Sequence, residues 1–262
     1  MGKKKEGFCH ICGEYVELTF EHIPPKQSGN CSQVNEISGD VLMACFADIE
    51  RLPWDLKGLK YKQKQKGMGK YTLCQRCNNN TGSWYGEDYV IFSNTMAALL
   101  AKERPQPNMG VSFTIEMRPL NFIKQVLSLF CSINRYPLNT NISEFILQKE
   151  SNEFINDEYI LSMFLYIGSI QKLFGTSILC SFPDKDNDKF KTISVSEICN
   201  YPLGFCLYKR NKDLKDIIGT DITYFSNYSV DEYSEVNISL PVLTSNSILP
   251  QDYRLKNQLN VQ

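Results

Sequence analysis

Four cysteines near the start of the chain form two pairs with the spacing of metal ligands. Cys9 and Cys12 lie in CHIC, and Cys74 and Cys77 lie in CQRC. Two such pairs can supply four thiolates to a tetrahedral Zn²⁺, which leaves no open coordination position and makes the site structural. We therefore expect these four cysteines to hold one zinc ion. His10, inside the first pair, could replace a thiolate, although a residue in that place more often points away.

One of the two histidines in the chain follows a glutamate in the segment TFEHIPPK, residues 19–26. The run EYVELTF alternates in polarity and is rich in β-forming residues, so it predicts a strand that ends at Glu21 and His22, because the next two prolines prevent its continuation. Such a histidine could be a packing residue, a metal ligand or a catalytic base, since imidazole titrates near neutrality. Its place between the cysteine pairs and ahead of the asparagines 78–80 favours a base.

These motifs together resemble those of the HNH endonucleases, which have the ββα-metal (His-Me finger) fold. Zinc-binding members carry a CxxC pair, a strand ending in Asp/Glu-His-x-x-Pro, and LCxxC followed by Asn or His. Here the three motifs are CHIC, FEHIPP and LCQRCNNNTG. A closer resemblance is to uncharacterised bacterial HNH proteins with EHxPPK and CNNxTGxWYG, often linked to phage defence or mobile elements. That likeness extends to LPVLTSN…PQDYR near the end of the chain.

The resemblance implies a role for each of three residues. His22 would be the general base that takes a proton from the water attacking the scissile phosphodiester. Glu21 and Asn78 would bind a divalent ion that polarises the phosphate and stabilises the leaving 3′ oxygen. Because carboxylate and amide oxygens are hard ligands, we expect Mg²⁺ or Mn²⁺ in preference to zinc.

The end of the predicted strand must be irregular if it is to serve such a site. Neighbouring side chains of a regular strand point to opposite faces, so Glu21 and His22 would not both face one ion. We expect the two prolines that follow to turn both side chains toward the site. The helix expected to begin near Asn79 would add N-terminal amides, which favour a phosphate.

The chain departs from the HNH pattern at one position. The middle Asn of the family name, which tethers the active-site loop through backbone hydrogen bonds, is expected about five residues before Cys74. Gly69 occupies that position, with Lys70 beside it. We expect the loop to be held differently, or by Asn79 or Asn80.

Positive charge is concentrated between the two predicted catalytic segments. Eight Lys or Arg and one acid lie between residues 51 and 76, whereas the net charge of the whole chain is −1. A charge run is often only a solvated loop, but inside a nuclease insert we expect phosphate contacts. The residues concerned are Lys57, Lys60, Lys62, Lys64, Lys66, Lys70 and Arg76. Tyr61 and Trp54 could stack on bases, although packing is their commoner role.

The nuclease module is predicted to span residues 1–104. KYTLC predicts a second strand, which leads into the second cysteine pair. Apolar residues then recur at helical spacing from Tyr85 to Ala101, which predicts a helix with Asn80 or Thr81 as its N-cap.

A second domain is predicted over residues 105–262, because RPQPNMG (104–110) has the composition of a linker. NFIKQVLSLFCSI predicts an amphipathic helix. Strands are predicted at VSFTIEM, YILSMFLYIGSI, KLFGTSILCSF, LGFCLYK, ITYF and EVNISLPV. The predicted fold class is α+β: an N-terminal ββα-metal (HNH) module with a four-cysteine zinc site, plus a C-terminal α+β domain with a mainly antiparallel sheet. Cys131, Cys180, Cys199 and Cys206 are expected to be buried thiols.

The ten cysteines do not indicate a secreted protein. The opening MGKKKEGFCHIC contains no apolar signal-peptide core, and no apolar run approaches the roughly 20 residues that span a bilayer. We therefore expect a cytoplasmic protein with no membrane partner, in which paired cysteines bind metal more often than each other.

The sequence thus predicts a metal-dependent HNH endonuclease that hydrolyses phosphodiester bonds in DNA, with double-stranded DNA as the expected substrate. The second domain is expected to recognise the substrate or a protein partner. Two alternatives stay open. One is a zinc-dependent nucleic-acid-binding or adaptor protein with a degenerate HNH site, which the missing middle Asn favours. The other is a nuclease effector that is active only with a partner.

Overall fold

The computed structural model describes residues 5–46, 57–135, 138, 140–154, 158–183, 190–211, 214 and 217–244. The strands of these segments are β1 (Glu6–Phe8), β2 (Tyr15–His22), β3 (Val34–Glu36), β4 (Lys62–Lys64), β5 (Gly69–Cys74), β6 (Gly110–Met117), β7 (Tyr159–Tyr166), β8 (Lys172–Pro183), β9 (Phe190–Asn200), β10 (Leu203–Lys209), β11 (Thr220–Asp221) and β12 (Ser234–Leu243). The helices are α1 (Gly39–Phe46), α2 (Gln75–Trp84), α3 (Gly86–Glu103), α4 (Pro119–Ile133) and α5 (Thr140–Leu147), with 3₁₀ turns at Lys26–Ser28 and Thr223–Asn227.

Two antiparallel strands followed by a helix lie at the centre of the first half of the chain. β2 pairs with β5, from Leu18 opposite Cys74 to His22 opposite Gly69, and β1 pairs with the start of β2. The alternation in EYVELTF packs Val16 and Leu18 against the hydrophobic core. Helix α2 follows β5 directly and packs on both strands, so the chain order here is strand, strand, helix.

Helix α2 begins earlier than the sequence indicated, and the predicted N-cap at Asn80 or Thr81 is wrong. Its N-cap is Cys74, whose thiol accepts a hydrogen bond from the amide of Cys77 at 3.4 Å. A sulfur acceptor therefore does what Ser, Thr, Asp or Asn does at most helix starts.

The helix predicted up to Ala101 is the second of two helices. The two helices are separated by Tyr85. Its ring is fully buried, and its hydroxyl donates a hydrogen bond to the carbonyl of Ile146 at 2.9 Å. Helix α3 begins at the next residue and continues to Glu103. The break lies at the residue that is anchored in the core.

A seven-stranded sheet organises the second half of the described chain. Its strands lie in the order β6-β12-β7-β10-β9-β8, with β11 paired to β7, and the neighbours are antiparallel except for the short β12–β7 contact. These observations confirm the α+β class and the mainly antiparallel sheet. Strand β9 was not predicted. The strand predicted at ITYF is wrong: the side chain of Asp221 accepts the amide of Thr223 at 2.8 Å and starts a 3₁₀ turn.

Helix α4 lies inside the protein with all fifteen of its residues buried. It contacts α2, α3, α5, β5 and β8, so both halves of the chain pack around it. The amphipathic helix that the sequence predicted here is confirmed, although its polar face is not exposed to solvent. Its polar residues at positions 121, 125, 128 and 132 share one face, and that face is covered by other parts of the chain.

One hydrophobic core crosses the predicted domain boundary. It includes Cys9, Ile23 and Leu73 from the first half, and Phe205 and Val242 from the second. The division at residues 104 and 105 stays a prediction. The predicted burial of the thiols at positions 131, 199 and 206 is confirmed, whereas the Cys180 side chain lies outside the described part of the structure. Within the described segments, no helix is long and apolar enough to cross a membrane.

Candidate functional site

The four paired cysteines meet in one group, as the sequence predicted. The ligand atoms of Cys9, Cys12, Cys74 and Cys77 all lie within 4.8 Å of one another. The Sγ atoms of Cys12 and Cys74 are 3.9 Å apart. Tetrahedral zinc with Zn–S bonds of about 2.3 Å needs sulfurs separated by about 3.8 Å, so this spacing suits such an ion. The group could bind a metal such as zinc.

Backbone amides and thiols prepare this group for a cation. Cys9 lies in the turn between β1 and β2, where its carbonyl accepts the amide of Gly13 at 2.9 Å, and Gly13 adopts a φ of 76°. The sulfur of Cys9 accepts the amide of Cys74 at 3.3 Å. A hydrogen bond from the Cys77 thiol, together with the amides, lowers the pKa of Cys9 to about 4. Metals bind the thiolate, so the surroundings of Cys9 favour the form that a metal needs. Burial raises the pKa of Cys12, and the hydrogen bond to Cys9 raises the pKa of Cys77, so without a cation the group shares its protons unequally.

His10 points away from the four sulfurs. Its Nδ1 lies 3.0 Å from the carbonyl oxygen of Cys131 in α4, and its backbone amide donates to Thr72 in β5 at 2.8 Å. The histidine therefore joins the cysteine turn to the central helix.

A cleft of about 660 Å³ lies between β2, the Lys26–Ser28 turn and the helices α2 and α3. Glu21, His22 and Asn78 all line it. The structure therefore brings together the three residues to which the sequence assigned catalysis, although they come from a strand end and the first turn of a helix. Their roles stay predictions.

His22 lies at the exposed side of this cleft. Its Nε2 is 3.0 Å from the backbone oxygen of Lys66, and the ring of Phe20 meets its edge at 5.0 Å between centroids. Because a carbonyl only accepts, Nε2–H donates this hydrogen bond to Lys66, and the lone pair of the neutral ring then lies on Nδ1. The contact fixes one nitrogen of the ring and leaves the other for chemistry.

Glu21 lies on the inner side of β2 and is only 6% exposed. The hydroxyl of Ser132 in α4 donates a hydrogen bond to Oε2 of this carboxyl group. Burial raises the pKa of Glu21 to about 8, although the bond from Ser132 acts in the opposite direction. Without a cation the carboxyl group is therefore mostly protonated at neutral pH.

A bulge between Thr19 and Phe20 determines where Glu21 and His22 point. Leu18 and Glu21 are three positions apart and would lie on opposite faces of a regular strand, yet both face inward. Glu21 is buried and His22 is half-buried, and both line the same cleft. The irregularity of the strand precedes the two prolines, and the expectation that the prolines turn both side chains toward the site stays a prediction.

Asn78 is held against this bulge. Its Nδ2 donates to Oγ1 of Thr19 at 3.0 Å and is 3.4 Å from the carbonyl oxygen of Phe20. Both contacts use the amide nitrogen, so Oδ1 is the atom left for a ligand.

The loop that lacks the middle Asn is tied by a different residue, Asn30. Its Nδ2 donates to the carbonyl of Pro24 at 2.7 Å and to that of Met68 at 2.8 Å, and its Oδ1 accepts the amide of Met68 at 2.8 Å. Asn30 is 1% exposed, so these bonds are shielded from water. It joins the segment after His22 to the segment before β5. Nothing in the surrounding SGNCS predicted this tie.

Gly69 itself could not be an asparagine in this arrangement. A Cβ atom there would clash with the backbone oxygen of Glu21 and with the ring of Phe20. The close approach of β2 and β5 therefore requires glycine at this position.

The predicted phosphate-binding residues are not among those that line the cleft. The lysines at positions 57, 60, 62 and 66 are exposed. Lys64 pairs with Glu36 at 3.2 Å, and burial lowers the pKa of Lys70. Their contacts with phosphate stay a prediction, as does a stacking role for Tyr61, which is 58% exposed. Trp54 lies outside the described residues.

Arg76 pairs with Glu14 at 3.0 Å on the surface, and its predicted contact with phosphate is likewise untested. The cleft residues that the sequence analysis missed include Lys26 at the 3₁₀ turn and Gln125 from α4. Gln125 lies in an apolar helical pattern that gave no sign of a site.

No family model, curated protein or solved structure matches the chain. The likeness to HNH endonucleases therefore rests on the motifs quoted above. What stands independently of that likeness is a four-cysteine group that could bind a metal, and a polar cleft beside β2 and α2.

Proposed function

We propose that the protein is a metal-dependent HNH endonuclease that hydrolyses phosphodiester bonds in DNA. The observation that carries the proposal is the meeting of Glu21, His22 and Asn78 in one cleft. The order of β2, β5 and α2 agrees with the strand, strand, helix order that the resemblance implies. Structural zinc would join the turn before β2 to the start of α2 through the four cysteines.

His22 is the proposed general base. The carbonyl of Lys66 accepts a hydrogen bond from Nε2–H, so the lone pair lies on Nδ1 and would take the proton of the attacking water. Asn30 fixes Met68, two residues after Lys66, and so helps to hold the Lys66 carbonyl in place. This tie takes over the role of the asparagine that the HNH pattern places in the loop.

Glu21 and Asn78 fit a hard divalent cation by the type of their donor atoms. Ser132 holds Oε2 of Glu21, so Oε1 is the carboxyl oxygen left for an ion, alongside Oδ1 of Asn78. Mg²⁺ or Mn²⁺ bound there would polarise the scissile phosphate and stabilise the leaving 3′ oxygen. The exposed lysines 57, 60, 62 and 66, together with Arg76, would attract the DNA backbone.

The test is plasmid cleavage in the presence of Mg²⁺ or Mn²⁺. We expect the wild-type protein to nick or linearise the plasmid and His22→Ala to lose at least about a hundredfold in rate, the usual scale of a general base. His10→Gln is the matched control, since it changes the other histidine and keeps a hydrogen-bonding side chain. Equal cleavage by wild type and His22→Ala, or none by the wild type with either metal, would contradict the proposal.

A second candidate is a DNA-binding or adaptor protein with a degenerate HNH site. The burial of Glu21 and its bond from Ser132 favour it, because a metal ligand is more often accessible. On this alternative the protein binds DNA, retains zinc and does not cleave. DNA binding without cleavage, unchanged in His22→Ala, would select it.

A further inference from the structure

Gln125 contributes a buried, unpaired acceptor to the cleft. It is the residue of α4 among the cleft-lining side chains, and it is 3% exposed. Within the described residues, its Oε1 is buried and has no hydrogen-bond partner. Buried carbonyl oxygens are nearly always paired, because leaving one unpaired is costly. The cleft is therefore where a donor for this oxygen would come from.

The rest of the cleft has two kinds of surface. Phe20, Pro25 and Val90 give it apolar walls, whereas His22 and Lys26 are polar. Its volume of about 660 Å³ lies within the usual range for sites that enclose a small molecule. A flat ligand with apolar faces, donors on its edge and an anionic group attached would match both surfaces.

Two glycines keep the helix side of the cleft open. A Cβ atom on Gly86 would lie 3.9 Å from Oε1 of Gln125, and one on Gly82 would have no atom within 4 Å. Larger side chains at these positions would extend into the space beside the amide. The sequence of α2 and α3 thus keeps the cleft side of Gln125 free of larger side chains, although Oε1 itself is buried.

We propose that the cleft binds one unstacked nucleotide and that Oε1 of Gln125 accepts a hydrogen bond from an N–H group on the edge of its base. The inference rests on the proposed nuclease function and deepens it. The base would lie between the apolar walls, and its phosphate would lie on the side of His22 and Lys26. Every natural base carries such a donor on its edge, and enzymes that bind an extruded base read that edge by hydrogen bonds. Helix α4 then takes part in substrate recognition.

The experiment compares nucleotides that carry an edge donor with analogues that lack it. Zinc-loaded wild-type protein, without chelator and without added Mg²⁺ or Mn²⁺, is titrated by NMR with deoxynucleoside monophosphates in four pairs: adenine with purine, guanine with purine, cytosine with pyrimidin-2-one, and thymine with 3-methylthymine. We expect the donor-bearing member of at least one pair to bind about tenfold more tightly, which is the effect of one hydrogen bond. Gln125→Met should bind both members of that pair equally.

Two variants serve as controls. Gln27→Met changes an exposed glutamine of the same cleft and should keep the discrimination. Gln125→Glu keeps an oxygen acceptor, so this variant should also bind the donor-bearing nucleotide more tightly than its analogue. If Gln125→Met fails to fold, the side-chain amide resonances of Gln125 in the wild type provide the test, because they should shift with the donor-bearing member of the pair and not with its analogue.

Failure of the inference can be told apart from failure of the proposed function. No discrimination in any pair by the wild type, or discrimination that survives in Gln125→Met, would overturn the role of Gln125 even if cleavage depends on His22. Discrimination that is lost in Gln125→Met, without cleavage under any metal, would support the base site and refute the nuclease.

Discussion

Glu21 is the residue whose surroundings fit its predicted role least simply. A metal ligand must be ionised, whereas burial keeps this carboxyl group largely protonated at neutral pH. Among the described residues, Ser132 supplies the hydrogen bond that favours the ionised form. The carboxyl group is therefore held from the protein interior by α4, in which Ser132 lies 111 residues further along the chain.

Ser132→Ala tests how much this bond stabilises the fold. Removing the hydroxyl leaves a buried carboxyl oxygen without its donor, so we expect the free energy of unfolding to fall by about 1–3 kcal/mol. Urea denaturation provides the measurement. Ser128→Ala is the control on the same helix, because its hydroxyl donates only to a carbonyl of its own helix at 2.8 Å, that of Gln125. If the free energy of unfolding falls equally in both variants, the hydrogen bond to Glu21 stabilises the fold no more than an ordinary bond within the helix.

Asn30 is the second residue whose role only the structure reveals. Asn30→Ala removes three hydrogen bonds that join the segment after His22 to the segment before β5. We expect a loss of about 2 kcal/mol in stability and faster hydrogen exchange at the amide of Met68. Asn35→Ala, at an exposed site in β3, should change neither quantity. An unchanged exchange rate at Met68 in Asn30→Ala would mean that the loop is held by other contacts.

Among the elements, the start of α2 depends most directly on the cysteine group. Cys74 ends β5, caps α2 and belongs to the four-sulfur group at once. Because a structural metal contributes its binding free energy to folding, loss of one ligand should weaken strand, helix and turn together.

Cys74→Ser should lose about one equivalent of bound zinc and lower the melting temperature. Metal content measured by mass spectrometry, together with thermal denaturation, checks both effects. Cys31→Ser is the control, since this thiol is exposed and lies outside the four-sulfur group. Full zinc content in Cys74→Ser would show that the four cysteines are not the ligands.

The local elements of the site could be predicted because their signals are local. The alternation before Glu21, the prolines after it and the spacing of the cysteines each act within a few residues. The tie by Asn30 and the burial of α4 could not be predicted in this way. The polar face of α4 looks solvent-exposed in the sequence, and it becomes a core face only because partners such as Glu21 and Asp88 come from distant segments.

At the scale of the whole molecule, the two predicted domains share aromatic packing. The ring centroids of Phe92 in α3 and Phe122 in α4 are 4.6 Å apart, and Tyr89 stacks on Phe122 with 5.9 Å between centroids. Tyr89 also contacts Phe205 of the large sheet at 6.2 Å. Buried aromatic pairs of this kind stabilise by area and by geometry, so the first half of the chain depends on the second.

A fragment comprising residues 1–104 tests this dependence. Without α4 it would expose the buried faces of α2, α3 and β5, and we expect it to aggregate or to lack a cooperative thermal transition even with zinc added. The full chain, measured under the same conditions, should unfold in one transition, because one hydrophobic core joins both halves. Circular dichroism and calorimetry provide the readout. A fragment that melts cooperatively and binds zinc would establish residues 1–104 as an independent domain. The site would then fold without the packing that α4 provides.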